Sequence, residues 1–158
     1  MSLNFPKITI IYASTSGNVE TVCFKISEVL TQQGIMSELY RAESTPENVL
    51  VASQYFVFAT STWEHGEINP FFHRILTQLK TLDSTGKIAA FVGLGDTRYE
   101  QILFCRGADI IKEAFLKSGG KEVLTTLRIN GEPFKYLGTT VKVWTERLIH
   151  EVKTNGSL

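Results

Sequence analysis

Three mostly apolar runs, each followed by a polar loop and then by a helical pattern, most constrain how this chain can fold. The runs cover residues 8–13, 55–60 and 87–94. Because polar residues do not alternate within them, they are typical of parallel strands that are buried on both faces of a sheet. Helical segments between such strands imply right-handed crossovers and a parallel sheet. The sequence therefore predicts an α/β fold with helices on both faces of the sheet.

Two further strands complete the predicted sheet, at 35–40 and 122–129. Thr45 before Pro46 is a typical helix start, with Thr45 as the N-cap, and Asn69-Pro70 opens another helix. The expected helices run from the first loop to the Gln33-Gly34 stop and over about 46–53, 70–80, 104–118 and 136–152.

Five strands and five helices in 158 residues fit a single domain spanning 1–158. The expected architecture is a three-layer sandwich around a five-stranded parallel sheet of order 2-1-3-4-5. In this order the binding crevice lies at the carboxyl ends of the strands, beside the point where the strand order reverses. The loops after strands one, three and four should therefore converge on one ligand.

Composition and charge exclude several classes of partner. The chain has 16 basic and 16 acidic residues, so no overall electrostatic field attracts it to nucleic acid or to a membrane. Its two cysteines form neither a disulfide framework nor a metal-binding pattern, and no apolar run approaches transmembrane length. We therefore expect a cytoplasmic monomer without nucleic-acid or membrane partners.

The loop after the first strand has the composition of a phosphate site. A helix start leaves backbone N–H groups unpaired, which favours an anion, and this loop adds neutral side-chain donors. No lysine follows its glycine, which excludes a Walker A loop, and a single glycine excludes the dinucleotide-binding motif. An ordinary N-capped turn is the alternative interpretation. The residues of the loop are Ser14, Thr15, Ser16, Gly17 and Asn18.

The other two loops carry an aromatic residue each. Trp63 follows the third strand and Tyr99 the fourth. On loops that face each other across the crevice, these rings could enclose a planar ligand. Gly93 and Gly95 allow close approach of the backbone. Asp96 is either an ordinary turn residue or part of the polar edge of the site.

Three motifs together give this chain a resemblance to the flavodoxin family. They are similar to its three FMN-binding loops in order and spacing, and the last strand lacks the long insertion of long-chain members, so the chain resembles a short-chain flavodoxin. The motifs are Ser14-Thr15-Ser16-Gly17-Asn18, Thr62-Trp63-x-x-Gly66-Glu67 and Gly93-Leu94-Gly95-Asp96-x-x-Tyr99-Glu100.

The resemblance implies non-covalently bound FMN and assigns its contacts. The first loop would hold the phosphate, Trp63 and Tyr99 would cover the two faces of the ring system, and Asp96 and the backbone near Cys105 would bind the pyrimidine edge. The full set of implied FMN-binding residues is Ser14, Thr15, Ser16, Gly17, Asn18, Val19, Thr60, Ser61, Thr62, Trp63, Glu64, His65, Leu94, Gly95, Asp96, Tyr99, Phe104 and Cys105.

The function that the resemblance implies is that of a low-potential one-electron carrier rather than an enzyme. A reductase donor and an oxidoreductase acceptor would dock transiently near the flavin edge. The alternatives are an FMN-dependent quinone reductase and a flavodoxin-like redox activator of a partner enzyme. A quinone reductase would need a second pocket, and His65 is the one general acid that the sequence offers it.

Two substitutions depart from the family pattern. Val19 stands where the family usually has threonine, and Glu64-His65 follow Trp63 where many short-chain members have glycine. The chain is also neutral, whereas flavodoxins are typically strongly acidic. These departures predict one hydroxyl fewer at the phosphate and a less acidic docking face.

Overall fold

A parallel sheet forms the centre of the protein. The structure, a computed structural model, describes residues 7–62, 67–95 and 105–156. The sheet order is β2-β1-β3-β4-β5, with β6 also paired to β4, and every one of these pairings is parallel. The predicted order 2-1-3-4-5 is therefore confirmed. The strands are β1 Ile8–Ala13, β2 Ser37–Arg41, β3 Tyr55–Ser61, β4 Ile88–Gly95, β5 Lys121–Glu122 and β6 Leu127–Asn130.

Helices cover both faces of the sheet. The α-helices are α1 Asn18–Gln32, α2 Glu47–Ala52, α3 His73–Thr81, α4 Arg106–Lys117 and α5 Lys142–Gly156. Within the described ranges, single 3-10 turns precede α2, α3 and the π-helical turn that leads into α5. These short segments are Ala42–Ser44, Pro70–Phe72, Phe134–Tyr136 and Leu137–Val141. None of the helices in the described ranges combines the length and apolar character needed to cross a lipid bilayer.

Strand β3 shows how the two cores are divided. Because successive side chains of a strand point to opposite faces, Tyr55, Val57 and Ala59 pack into the core under α1 and α5. Phe56 and Phe58 pack into the other core, under α2, α3 and α4. This central strand is apolar at consecutive positions because both of its faces are covered by helices.

Five phenylalanine rings form the centre of the second core. Phe58 lies in the middle, stacked on Phe56 and Phe91 with centroid distances of 5.1 and 5.8 Å. The rings of Phe72 and Phe115 approach it from the helices at 6.3 and 5.7 Å. The cluster therefore joins β3 and β4 to the helical layer above them.

The fifth strand is interrupted, which corrects the continuous strand expected at 122–129. Ala89 pairs with Glu122 but Val92 pairs with Leu127, so the edge strand contains two extra residues at the break. Val123 and Leu124 both pack against the core under α1 and α5. A regular strand would point one of them to each face, and the interruption lets both face the same core.

The predicted N-cap at Thr45 is also wrong. Thr45 follows the 3-10 turn, and its hydroxyl donates to the carbonyl oxygen of Arg41 over 2.7 Å instead of capping α2. Helix α2 begins at Glu47, and no side chain caps it in the described part of the chain. The threonine hydroxyl thus closes the preceding turn.

Candidate functional site

Three strands end side by side at the carboxyl edge of the sheet. Ala13 of β1 pairs with Thr60 of β3, and Ser61 of β3 pairs with Leu94 of β4. Beyond this register the Thr62 N–H donates to the carbonyl oxygen of Leu94 over 3.0 Å. The loops after β1, β3 and β4 therefore start from adjacent positions, as the strand order predicts.

The first of these loops leads directly into an uncapped helix. Ser14 is buried, and its Oγ accepts a hydrogen bond from the Gly17 N–H over 3.1 Å. Gly17 is the N-cap of α1 and has a φ of 89°, in the left-handed region that favours glycine. Within the described residues no side chain caps the first turn of α1. The amide donors of this turn are thus available to a ligand.

The donor set at this helix start fits a phosphate group. Thr15 and Ser16 are exposed beside the uncapped turn, so their hydroxyls can reach an anion together with the backbone N–H groups. Val19 is 2 % exposed and packs in the core, so only its backbone can contribute. The departure from threonine at this position therefore removes a hydroxyl and keeps an amide.

The end of β3 is fixed by a buried asparagine. Asn69 donates from Nδ2 to Ser61 Oγ over 3.1 Å, and its Oδ1 accepts from the Phe71 N–H over 3.0 Å. The predicted helix start at Asn69-Pro70 is confirmed, and Asn69 is its N-cap. An isolated antiparallel bridge joins Thr62 to Ile68. The Asn69 side chain and this bridge therefore hold the chain on either side of residues 63–66 close together.

Thr62 also connects this loop to the start of α4. Its Oγ1 accepts a hydrogen bond from the Gly107 N–H over 3.0 Å. A Cβ placed on Gly107 would lie 2.8 Å from the carbonyl oxygen of Ser61. The first turn of α4 therefore packs so closely on β3 that a side chain does not fit between them.

Removing the Thr62 hydroxyl should destabilise the protein. In Thr62→Val the Gly107 N–H loses its acceptor in a partly buried position, which should cost about 1–2 kcal/mol of unfolding free energy. Thr62→Ser, the matched control, keeps the hydroxyl and should stay closer to the wild type. Urea unfolding of both apoproteins measures the difference, and a serine variant as unstable as the valine variant would contradict the role of the hydroxyl.

Cys105 occupies the N-cap position of α4, but its side chain does not cap the helix. It has a φ of 59° and is fully buried, and its Sγ donates to the Gly93 carbonyl oxygen over 3.1 Å. Burial raises the pKa of this thiol to about 11, although the nearby Arg128 guanidinium opposes the shift. The thiol is therefore protonated at neutral pH and unsuited to nucleophilic attack. The expected backbone contact with a ligand at the start of α4 stays a prediction.

The structure places two expected contact residues with their side chains in the protein interior. Leu94 is 5 % exposed and belongs to the core under α1 and α5. Thr60 is fully buried, and its hydroxyl donates to the Ser61 carbonyl oxygen over 3.1 Å. Their side chains thus support the strand ends, and contact with a ligand is left to the backbone. Gly95 ends β4, where its carbonyl oxygen accepts from the Gly131 N–H over 2.8 Å.

The loops that carry Trp63 and Tyr99 lie outside the described residues, so the stacking of these side chains on the flavin ring system stays a prediction. The same holds for the expected contacts at the pyrimidine edge and at the Glu64-His65 pair. The expected site residues concerned are Trp63, Glu64, His65, Asp96, Tyr99 and Phe104.

A polar network beside the first loop was missed by the sequence analysis. Glu20, in the first turn of α1, accepts hydrogen bonds from the Tyr12 hydroxyl and from Arg41. Arg41 lies 27 positions from Ser14, whose carbonyl oxygen it also approaches. The one local signal was an acidic residue in the first turn of α1. Among the described residues no group of His, Cys, Asp and Glu could hold a metal ion.

Comparison with known proteins identifies the family. The flavodoxin family model matches residues 10–137. The flavodoxin of Maridesulfovibrio salexigens is 32% identical over 130 residues, which cover 80% of this chain and 88% of that protein. The crystal structure of oxidised flavodoxin 2 from Bacillus cereus superposes with a TM-score of 0.82 at 28% identity and covers 94% of this chain and 99% of its own.

A third protein has the same fold. The Fusobacterium nucleatum flavodoxin, whose crystal structure is bound to flavin mononucleotide, has a TM-score of 0.79 at 19% identity and covers 93% of this chain and 99% of its own. The family match spans β1 to the segment before α5, and it includes the starts of all three loops at the carboxyl edge. The chain therefore belongs to the flavodoxin family.

Proposed function

We propose that this flavodoxin is a one-electron carrier with non-covalently bound FMN. The observation that supports it most is the uncapped start of α1, which opens beside the ends of β3 and β4 and has only neutral donors in its loop. This arrangement suits a terminal phosphate next to a crevice for the ring system. The Fusobacterium nucleatum protein of the same fold is bound to FMN.

The cofactor would carry the electron, and the chain would bind and enclose the cofactor. Bound FMN would supply the redox chemistry, and the two thiols of the described residues are buried in the protein interior. Residues 14–19 would hold the phosphate, and Thr62 would hold the loop at 63–66 in place. Trp63 and Tyr99 would enclose the ring system, exclude water from it and quench its fluorescence.

The partners and setting are part of the same proposal. A reductase donor and an oxidoreductase acceptor would meet this single-domain monomer transiently, near the exposed edge of the flavin. Both cysteines are buried and free, which is the expected state in the reducing cytoplasm. The equal numbers of acidic and basic residues give no field that would favour one charged surface as the partner.

Calorimetric titration of the apoprotein with FMN, riboflavin and FAD tests the proposal. We expect FMN to bind at least about 100-fold more tightly than riboflavin, because two or more charge-assisted hydrogen bonds to the phosphate are lost in riboflavin. FAD should bind more weakly than FMN, because its phosphate is not terminal.

Equal affinities for FMN and riboflavin would remove the phosphate site from the proposal. Steady oxidation of NADH or NADPH by a quinone in the presence of the holoprotein would contradict the carrier role and favour a quinone reductase. Heat-inactivated holoprotein with the same flavin content is the control, because free flavin itself reacts slowly with the nicotinamide nucleotides and with the quinone.

A further inference from the structure

A group of polar contacts joins the end of β2 to the first turn of α1. Arg41, the last residue of β2, donates from Nη2 to Glu20 Oε2 over 2.8 Å. The Tyr12 hydroxyl donates to the same oxygen over 2.6 Å, and the guanidinium carbon lies 5.6 Å from the centre of the Tyr12 ring. Nη1 of Arg41 is 3.5 Å from the Ser14 carbonyl oxygen and 3.8 Å from Glu43 Oε2. The network therefore borders the loop that we assign to the phosphate.

The position of Glu20 makes this network relevant to anion binding. Glu20 is the third residue of α1, after the N-cap Gly17. A glutamate at this position commonly reaches back to the N–H of the N-cap residue, where it places its own negative charge at the helix start. Here the Gly17 N–H donates to Ser14 Oγ instead. The Glu20 carboxylate is engaged with Tyr12 and Arg41, and it does not cap the helix.

We infer that Arg41 is a positioning residue for phosphate recognition, acting through Glu20. Together with Tyr12 it fixes and neutralises the Glu20 carboxylate, so that the first-turn amides of α1 are left to the ligand. The inference rests on the proposed function, because the ligand in question is the phosphate of FMN. It concerns the selectivity for a phosphorylated flavin, which the loop at 14–17 alone does not determine.

The exposure of the pair predicts that its effect appears in binding more than in folding. The side chains of Arg41 and Glu20 are 42% and 25% exposed, and ion pairs of this kind contribute little to stability. A carboxylate released at the helix start would, however, oppose an incoming dianion directly. We expect Arg41→Met to bind FMN about threefold to tenfold more weakly than the wild type, with riboflavin affinity unchanged.

The experiment is a double-mutant cycle read out as the ratio of riboflavin to FMN dissociation constants. The apoproteins are wild type, Arg41→Met, Glu20→Gln and the double variant, each titrated calorimetrically with both flavins. Arg41→Met should lower the ratio, and Glu20→Gln alone should keep or raise it. The double variant should return to within about twofold of the wild type, since the Glu20 carboxylate is no longer there to oppose the phosphate.

Lys7→Met is the matched control. Lys7 pairs with Glu38 over 3.1 Å at the other end of β2, and its side chain is 45% exposed, close to the value for Arg41. The substitution removes the same charge far from the loop, so the ratio should not change. An equal fall in this variant would overturn the inference by assigning the effect to net charge.

Four further outcomes would also overturn it. A double variant that binds FMN as weakly as Arg41→Met would show that Arg41 acts on the phosphate directly and not through Glu20. An Arg41→Met protein with the wild-type ratio would show that the network has no role in recognition, while the proposed function would stand. A wild-type protein without any preference for FMN would remove both the phosphate site and this inference. Glu20→Gln provides its own test if Arg41→Met does not fold, because a lowered ratio there contradicts the inference.

Discussion

Replacing Phe58 with alanine should lower the free energy of unfolding by about 3–5 kcal/mol, the range for large aromatic deletions in cores. The ring is fully buried and lies against four other phenylalanine rings, so its removal leaves a cavity that neither sheet nor helices can easily close. Urea unfolding of the apoprotein, followed by circular dichroism, measures the change. Phe58→Leu should lower the free energy of unfolding by less, because the leucine side chain fills part of the volume of the missing ring.

Phe134→Ala is the control for the same chemical change on the surface. Its side chain is 59% exposed, and surface substitutions of this kind usually change stability by no more than about 0.5 kcal/mol. If Phe58→Ala lost no more stability than Phe134→Ala, the aromatic cluster would not be the centre of the second core. The apoprotein is required because bound flavin would itself add to the measured stability.

Burial on both faces of the sheet decides which strands could be predicted accurately from the sequence. The expected strands at 8–13, 55–60 and 87–94 agree within one residue at each end with β1, β3 and β4. These strands are buried on both faces, so their apolar runs have sharp ends. The edge strand β2, expected at 35–40, runs over Ser37–Arg41 and is only partly buried, which leaves its ends less marked in the sequence.

The errors arose where tertiary contacts outweigh local preference. Val123 and Leu124 look like the middle of a regular strand, but packing of both against one core interrupts it. Thr45 before Pro46 has the pattern of a helix cap, but its hydroxyl bonds to Arg41 four residues earlier. In each case the local pattern was compatible with two structures, and a contact outside the pattern decided between them.

The candidate site shows the same division between local and distant information. The loop at 14–18 is contiguous, so its composition could be read directly as a helix start suited to an anion. The contacts that hold the site together connect residues far apart in sequence, such as Thr62 and Gly107, which are 45 positions apart. No periodicity or motif reports such a pair. Close packing of α4 on β3 requires glycine at position 107. No motif in the sequence includes this residue.

Replacing Gly107 with alanine should therefore disturb the fold and the site together. A Cβ at this position would lie 2.8 Å from the Ser61 carbonyl oxygen and 3.2 Å from Cγ2 of Thr60. The first contact is with backbone, so α4 or the end of β3 must move. We expect a loss of about 1–3 kcal/mol in unfolding free energy, the usual cost of overpacking. Urea unfolding of the apoprotein measures it.

Gly138→Ala is the matched control, because it makes the same substitution in a helical segment where the added Cβ meets nothing within 4 Å. Alanine favours helix over glycine by up to about 1 kcal/mol, so this variant should be unchanged or slightly more stable. The two substitutions should thus shift stability in opposite directions, which separates packing from helix propensity. Equal shifts would show that α4 is free to move away from β3.

The effect of Gly107→Ala on flavin binding should differ in kind from that of Arg41→Met. Movement of the β3 end displaces Thr62 and with it the loop at 63–66, which would contact the ring system common to FMN and riboflavin. Both flavins should consequently bind more weakly, and by about the same factor. The ratio of their dissociation constants should stay at the wild-type value. A selective loss of FMN affinity would instead place Gly107 in the phosphate site and contradict the arrangement of loops described above.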